Sequence, residues 1–330
     1  REDLDKIMNT MFLFLTNTDC IYKLIVFWVK PEQIDEILSV FKGPIFNQEE
    51  PEHRSILMKT VRNSHLMYGI LKNMALFTCF LWVAHPTVFH IQGKYIEFPV
   101  WLPFDANKNP QFYIAVFYVW LQTSWLAYCN TTSDIFITFL LEQCRTQISI
   151  LRLDLENVVE KSKNEATALS MSFQKVLERR FKKILLHHKT IVNTADKIQD
   201  IFGGAEFYLF FVSGWILCTS AYRLASANPA SIEFVSMIMY VICILMEIFL
   251  YCYYGNEITH ETDMLMESAY AMDWLEMPVK LRLSLIIFME RIKIPIRPMA
   301  GSLIPLTNAT FISIVRSSYT FFSLLKNSQH

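Results

Sequence analysis

Six blocks of about 20 apolar residues constrain this chain more than any other feature. A helix needs about 20 apolar residues to cross roughly 30 Å of hydrocarbon. The blocks fall at roughly 8–29, 66–90, 112–141, 201–226, 232–254 and 303–325. The first is the weakest, because Asn17, Asp19 and Lys23 interrupt it. The fifth is the clearest, with Glu247 as its one charge between Phe234 and Tyr254. Composition agrees: 53% of residues are hydrophobic and 18% charged, with mean hydropathy +0.27, where soluble domains carry about a quarter charged residues. With 8 Gly, 12 Pro and no sustained strand-like alternation, a barrel is disfavoured. The predicted fold is all-α, a polytopic transmembrane helical bundle.

The remaining sequence predicts a helical layer outside the bilayer. Residues 142–199 are charged and carry apolar residues at helical spacing, among them Ile148, Leu151, Leu155, Val158, Val176, Leu177 and Phe181. That pattern predicts two amphipathic helices joined near Lys161-Ser162-Lys163-Asn164. A further helix is expected over 277–293, starting after Pro278 and stopping before Pro295. The polar stretch Ala225-Ser226-Ala227-Asn228-Pro229 makes blocks four and five an antiparallel hairpin. Segments 30–65, 142–200 and 255–300 carry 5, 11 and 5 Lys/Arg, against 2 and 1 in 91–111 and 222–232. Positive loops stay cytoplasmic, so the three richer segments are expected inside and both ends of the chain outside. The chain opens at Arg1 with no signal peptide, and a truncated N-terminus is expected.

Several chemistries are argued against. Net charge −1 gives no bulk attraction for nucleic acid. The seven cysteines form no CxxC pair and sit mostly in apolar runs, as small hydrophobic residues of packed helices do. His187 and His188 are adjacent, so they point to different sides of a helix; they are expected to be solvated, and no metal site is expected. The sequons at Asn130 and Asn308 fall within or beside spans and are expected to be unused. Asp19, Lys23, Asp134 and Glu206 read either as helix–helix contacts or as snorkelling groups. No HExxH, GxSxG or phosphate-binding Gly loop is present, so neither an enzyme nor a cofactor is expected.

Two stretches carry a specific pattern. One is Phe98-Pro99-Val100-Trp101-Leu102-Pro103-Phe104-Asp105, followed by Asn109-Pro110, Tyr113, Tyr118 and Gln122. The other includes Tyr251-Cys252-Tyr253-Tyr254-Gly255-Asn256-Glu257, Ser268-Ala269-Tyr270, Asp273-Trp274, Ala300-Gly301, Pro305-Leu306 and Arg316 through Leu325. Together they resemble the insect odorant receptor family; Leu102 is a mild departure, standing where an aromatic is common. The resemblance in span layout covers the whole chain and implies one seven-span receptor and channel domain over 1–330, with its first span absent here. It implies cytoplasmic anchor helices at about 142–199 and 277–293 and a pore helix at about 303–325. No long insertion of the co-receptor type lies in 142–199, and the Thr-Tyr…Gln-Phe ending of gustatory receptors is missing. The chain therefore looks like a ligand-tuned subunit, partnered by the odorant co-receptor in a heterotetramer in the plasma membrane of olfactory neuron dendrites.

In the last block Thr310, Ser313, Ser317, Thr320 and Leu324 share one helical stripe. It reads either as a hydroxyl-lined pore closed at Leu324 or as a small-residue packing seam. The resemblance favours the pore, and Arg316 adds a charge that needs water or a partner. The resemblance also implies an odorant pocket in the outer halves of the family's second, third, fourth and sixth spans. On these spans the candidates are Met8, Met11, Phe12, Thr78, Leu81, Trp82, His85, Trp120, Trp125, Met237 and Tyr240. For any single one of them, lipid contact or core packing is the default role. The competing functions are a metabotropic seven-helix receptor, whose Asp-Arg-Tyr and Asn-Pro-x-x-Tyr motifs are absent, and a transporter, whose internal repeats are absent.

Overall fold

The computed structural model describes residues 2–47, 50–93, 104, 108–226, 228–229 and 231–327; the side chains of 2–10, 12, 226 and 324–327 are not described. The helices are α1 (Glu2–Val29), α2 (Pro31–Lys42), α3 (Pro51–Ile91), α4 (Gln111–Glu156), α5 (Val158–Leu169), α6 (Phe173–Ser226), α7 (Ile232–Ala271), α8 (Val279–Ile292) and α9 (Asn308–Asn327). One short hairpin, β1 (Met299–Ala300) against β2 (Ile304–Pro305), completes the described elements. The fold is all-α, and α3, α6 and α7 are long and apolar enough to cross a membrane by length and composition. α1 carries Asp19 and Lys23, and α4 carries Trp and Tyr, which hydropathy ranks low although they face outward (Trp125 is 68% exposed).

Most long helices run on past their apolar blocks, because nothing in the sequence stops them. α4 contains neither Pro nor Gly, and its second half is nearly all buried between Ile137 and Leu155. This half of the molecule is the helical anchor layer. Here α2, α5, α8 and the polar ends of α4, α6 and α7 pack around Ile148, Leu151, Leu177, Phe181, Leu285 and Phe288. Ion pairs stitch its rim: Arg152 to Glu261 at 2.7 Å, Lys161 to Glu50 at 2.5 Å, Arg180 to Glu165 at 2.6 Å.

Three expectations are corrected. The break in 142–199 lies not at Lys161–Asn164, which is inside α5, but at Asn157 and after Leu169. Lys161–Asn164 stay helical, and the chain stops at Ser170, which turns left-handed at φ 51° while the Met171 N–H closes on Ala166 O at 3.0 Å. His187 and His188 are buried, not solvated, at 1% and 8% exposure. His187 Nε2 meets Gln147 Oε1 at 2.9 Å and His188 packs edge-on against Phe288, and burial pushes both imidazoles down to about 4. The last helix begins at Asn308, not 303, because the preceding residues form the hairpin. The 277–293 helix forms as α8, and the turn between α6 and α7 is closed by an Arg223–Glu233 pair at 3.0 Å, with the Phe234 N–H donating to Ser231 Oγ at 3.1 Å.

Candidate ligand-binding site

Between α1, α3, α4 and α7 lies a cavity of about 290 Å³. Its α4 wall follows Gln122, Leu126, Asn130, Asp134 and Thr138, a four-residue spacing that keeps one face of the helix turned inward. α1 contributes Leu13, Phe14, Thr16 and Asn17; α3 contributes Leu71, Ala75, Thr78, Cys79 and Trp82. From α7 come Tyr240, Cys243, Ile244, Glu247 and Leu250. Trp82 and Tyr240 stand with ring centroids 5.5 Å apart, and the Tyr240 hydroxyl bonds Thr16 Oγ1 at 2.6 Å.

Three of the proposed pocket residues line this space: Thr78, Trp82 and Tyr240. Met11 and Leu81 are half-buried outside it, and Met237 is buried in the core. His85 sits beside Phe89, 3.9 Å from Glu233. Trp120 and Trp125 face outward at 38% and 68% exposure, because each lies one to two residues off the inward row of α4. The side chains of Met8 and Phe12 fall outside the described residues, as does most of the 98–105 motif. Gln122, the last residue of that pattern, does line the cavity.

Of the two readings of Asp19, Lys23 and Asp134, the cavity floor shows the helix–helix contact, with Glu247 as a further member. Lys23 is fully buried and its Nζ lies 2.7 Å from Asp19, 2.5 Å from Asp134 and 2.8 Å from Glu247, with Asn130 Oδ1 at 3.1 Å. The Tyr251 hydroxyl donates to Asp134 Oδ1 at 2.9 Å, and Asn130 Nδ2 to Glu247 Oε1 at 3.3 Å. A lysine at 1% exposure does not snorkel; it ties α1, α4 and α7 together. The signal available in the sequence was charge itself, since four ionisable residues in apolar spans must find one another. Glu206 is likewise buried, beside a second cavity of about 170 Å³ with Gln199 and Arg291.

The last helix presents two faces. Phe311, Ile314 and Ser318 pack inward; Ser318 Oγ donates to Gly214 O of α6 at 3.1 Å. Ser313, Arg316, Ser317 and Thr320 are exposed and Thr310 is half-buried, its hydroxyl on Pro305 O at 2.7 Å. The hydroxyl stripe is therefore not the seam against its own chain. The side chain of Leu324 lies outside the described residues. In the anchor layer Glu50, His53 and Asp154 converge, but the Lys161 ammonium reaches Glu50 and Asp154 at 2.5 and 3.5 Å and supplies the positive charge there.

Residues 3–319 match the model of the 7tm odorant receptor family. The chain belongs to the insect odorant receptor family. Odorant receptor Or1 of Anopheles gambiae is 21% identical over 350 residues, covering 99% of this chain and 82% of its own. Odorant receptor 94a of Drosophila melanogaster is 27% identical over 244 residues, 73% of this chain and 60% of its own. The solved olfactory receptor OR5 of Machilis hrabei in complex with eugenol superposes with TM-score 0.83 at 18% identity, covering 98% of this chain and 82% of its own. The chain is thus a multi-pass membrane odorant receptor and not an enzyme.

Proposed function

We propose that this odorant receptor is the ligand-tuned subunit of a cation channel of low selectivity. It assembles as a heterotetramer with the odorant co-receptor in the dendritic plasma membrane, and it binds small volatiles in the cavity between α1, α3, α4 and α7. The observation that carries this reading is the cavity itself: bounded by four helices, walled by Trp82, Leu126 and Ile244, and offering the hydroxyls of Thr16, Thr78, Thr123, Thr131, Thr138 and Tyr240 beside that apolar surface. At about 290 Å³ it stands near the small end of ligand pockets, which run about 300–1,000 Å³. Burial of apolar area at about 25 cal/mol per Å² gives a small volatile a few kcal/mol, and micromolar binding, which needs about 8 kcal/mol, draws the rest from polar contacts. The structural relative OR5 is known in complex with eugenol, which supports a small-molecule site on this fold.

α7 joins the cavity to the last helix. Tyr240 and Glu247 stand in the cavity wall, while Phe249 packs edge-on to Phe311 of α9 at 5.6 Å. A ligand that fits one arrangement of α7 better than the other shifts the population between closed and open channels. The stripe of half-buried Thr310 and exposed Ser313, Ser317 and Thr320, with Arg316 beside it, lines the water path between subunits, and Leu324 is the hydrophobic gate. Replacing Leu324 by Ala is expected to raise the basal current of the assembled channel. An unchanged leak would remove Leu324 from the gate.

A further inference from the structure

The cavity floor gathers three carboxyl groups, those of Asp19, Asp134 and Glu247, around a single ammonium, that of Lys23. The neutral donors Tyr251 and Asn130 go to Asp134 Oδ1 and Glu247 Oε1. Asp19 Oδ1 and Asp134 Oδ2 have no hydrogen-bond partner among the described residues. Asp134 is 5% exposed and lines the floor together with Glu247 and Asn130. Buried carboxyl oxygens left without donors are costly, and an ionisable group inside a membrane span that faces a cavity is a candidate for completion by a ligand.

Resting on the cavity as the ligand site, we infer that it takes a small primary amine as its ammonium ion. The ammonium sits on the floor at Glu247 and Asp134, and the hydrocarbon part lies against Leu13, Trp82 and Leu126. A primary ammonium supplies a donor to the unpartnered Asp134 Oδ2, with up to three N–H groups on a compact positive charge. An alcohol of the same shape supplies one donor and no charge, and a hydrocarbon neither. Charge-assisted hydrogen bonds are roughly twice as strong as neutral ones and are strengthened further where water is excluded.

The test uses the full-length receptor co-expressed with its co-receptor, with current recorded against 2-phenylethylamine, 2-phenylethanol and propylbenzene, which share shape and differ in the polar end. The amine is expected to act at a half-maximal concentration about tenfold or more below the alcohol, with propylbenzene weakest. In Glu247→Gln the amine-to-alcohol ratio is expected to collapse to within about twofold; because it is a ratio within one receptor, lower expression does not imitate it. Should that variant fail to reach the surface, the wild-type ratio decides alone. An amine no stronger than the alcohol overturns the inference, as does an undiminished ratio in Glu247→Gln. Silence to all three probes in a receptor that answers other volatiles overturns it while the receptor reading stands. Silence to every volatile overturns both.

Discussion

Single side chains divide into those that shape the cavity and those that only neighbour it. Trp82 forms its wall and pairs with Tyr240, so Trp82→Ala is expected to widen the space and change the order of potency across a volatile panel. His85 stands outside the cavity beside Glu233, and His85→Ala is expected to leave that order unchanged. Lys23 is a different case: Lys23→Met removes the one ammonium among three buried carboxylates. We expect a loss of about 3–5 kcal/mol, read as a lower melting temperature and poor surface delivery. His187 gives the fold a pH dependence. Burial holds its imidazole at about 4 against 6.5 for the ordinary group, so between these values the unfolded chain binds more protons than the folded one. Stability conferred by the neutral buried ring is full above about 6.5 and declines as pH falls toward about 4. His187→Gln, which keeps an N–H for Gln147, is expected to flatten that decline in thermal melts between pH 7 and 4.

Among the elements, the apolar blocks made the long helices legible, and Pro278 and Pro295 framed α8 correctly. The breaks were harder to read. Ser170 ends α5 through a left-handed conformation that serine rarely adopts, and no Gly or Pro announces it. The hairpin before α9 is two residues per strand, too short for any periodicity to show. Its anchoring was nevertheless written in the recognised motif. Gly301 adopts φ 58° and donates its N–H to Gly203 O of α6 at 2.7 Å, while a Cβ at Gly255 would lie 2.3 Å from Leu306 Cβ and 2.5 Å from Leu306 O. The motif glycines thus let α6 and α7 touch the chain leading into the last helix. Gly255→Ala is expected to cost about 1–3 kcal/mol and to lower the melting temperature, because the obstacle includes backbone. An unchanged melt would mean that this junction yields freely. The cavity was only partly legible: the four helices were implied by resemblance, but which face of α4 turns inward depends on packing, and the aromatic residues chosen there belong to the outside.

At the scale of the whole molecule, one polypeptide carries an apolar bundle containing the cavity and a polar helical layer held by ion pairs. α4, α6 and α7 run through both halves, so the cavity and the layer share helices. α9 leans on α6 and α7 by one face and leaves most of its hydroxyl stripe uncovered, the face that the proposed function gives to neighbouring subunits. Under the proposed function, gating needs two things at once, a ligand in the cavity and a partner against the last helix. The most direct measurement is whole-cell current from the full-length chain, expressed with and without the co-receptor, against a panel of volatiles. We predict currents that appear within the ligand pulse only when both proteins are present, and whose order of potency shifts in Trp82→Ala. Equal currents without the co-receptor, or a potency order untouched by Trp82→Ala, would contradict the account.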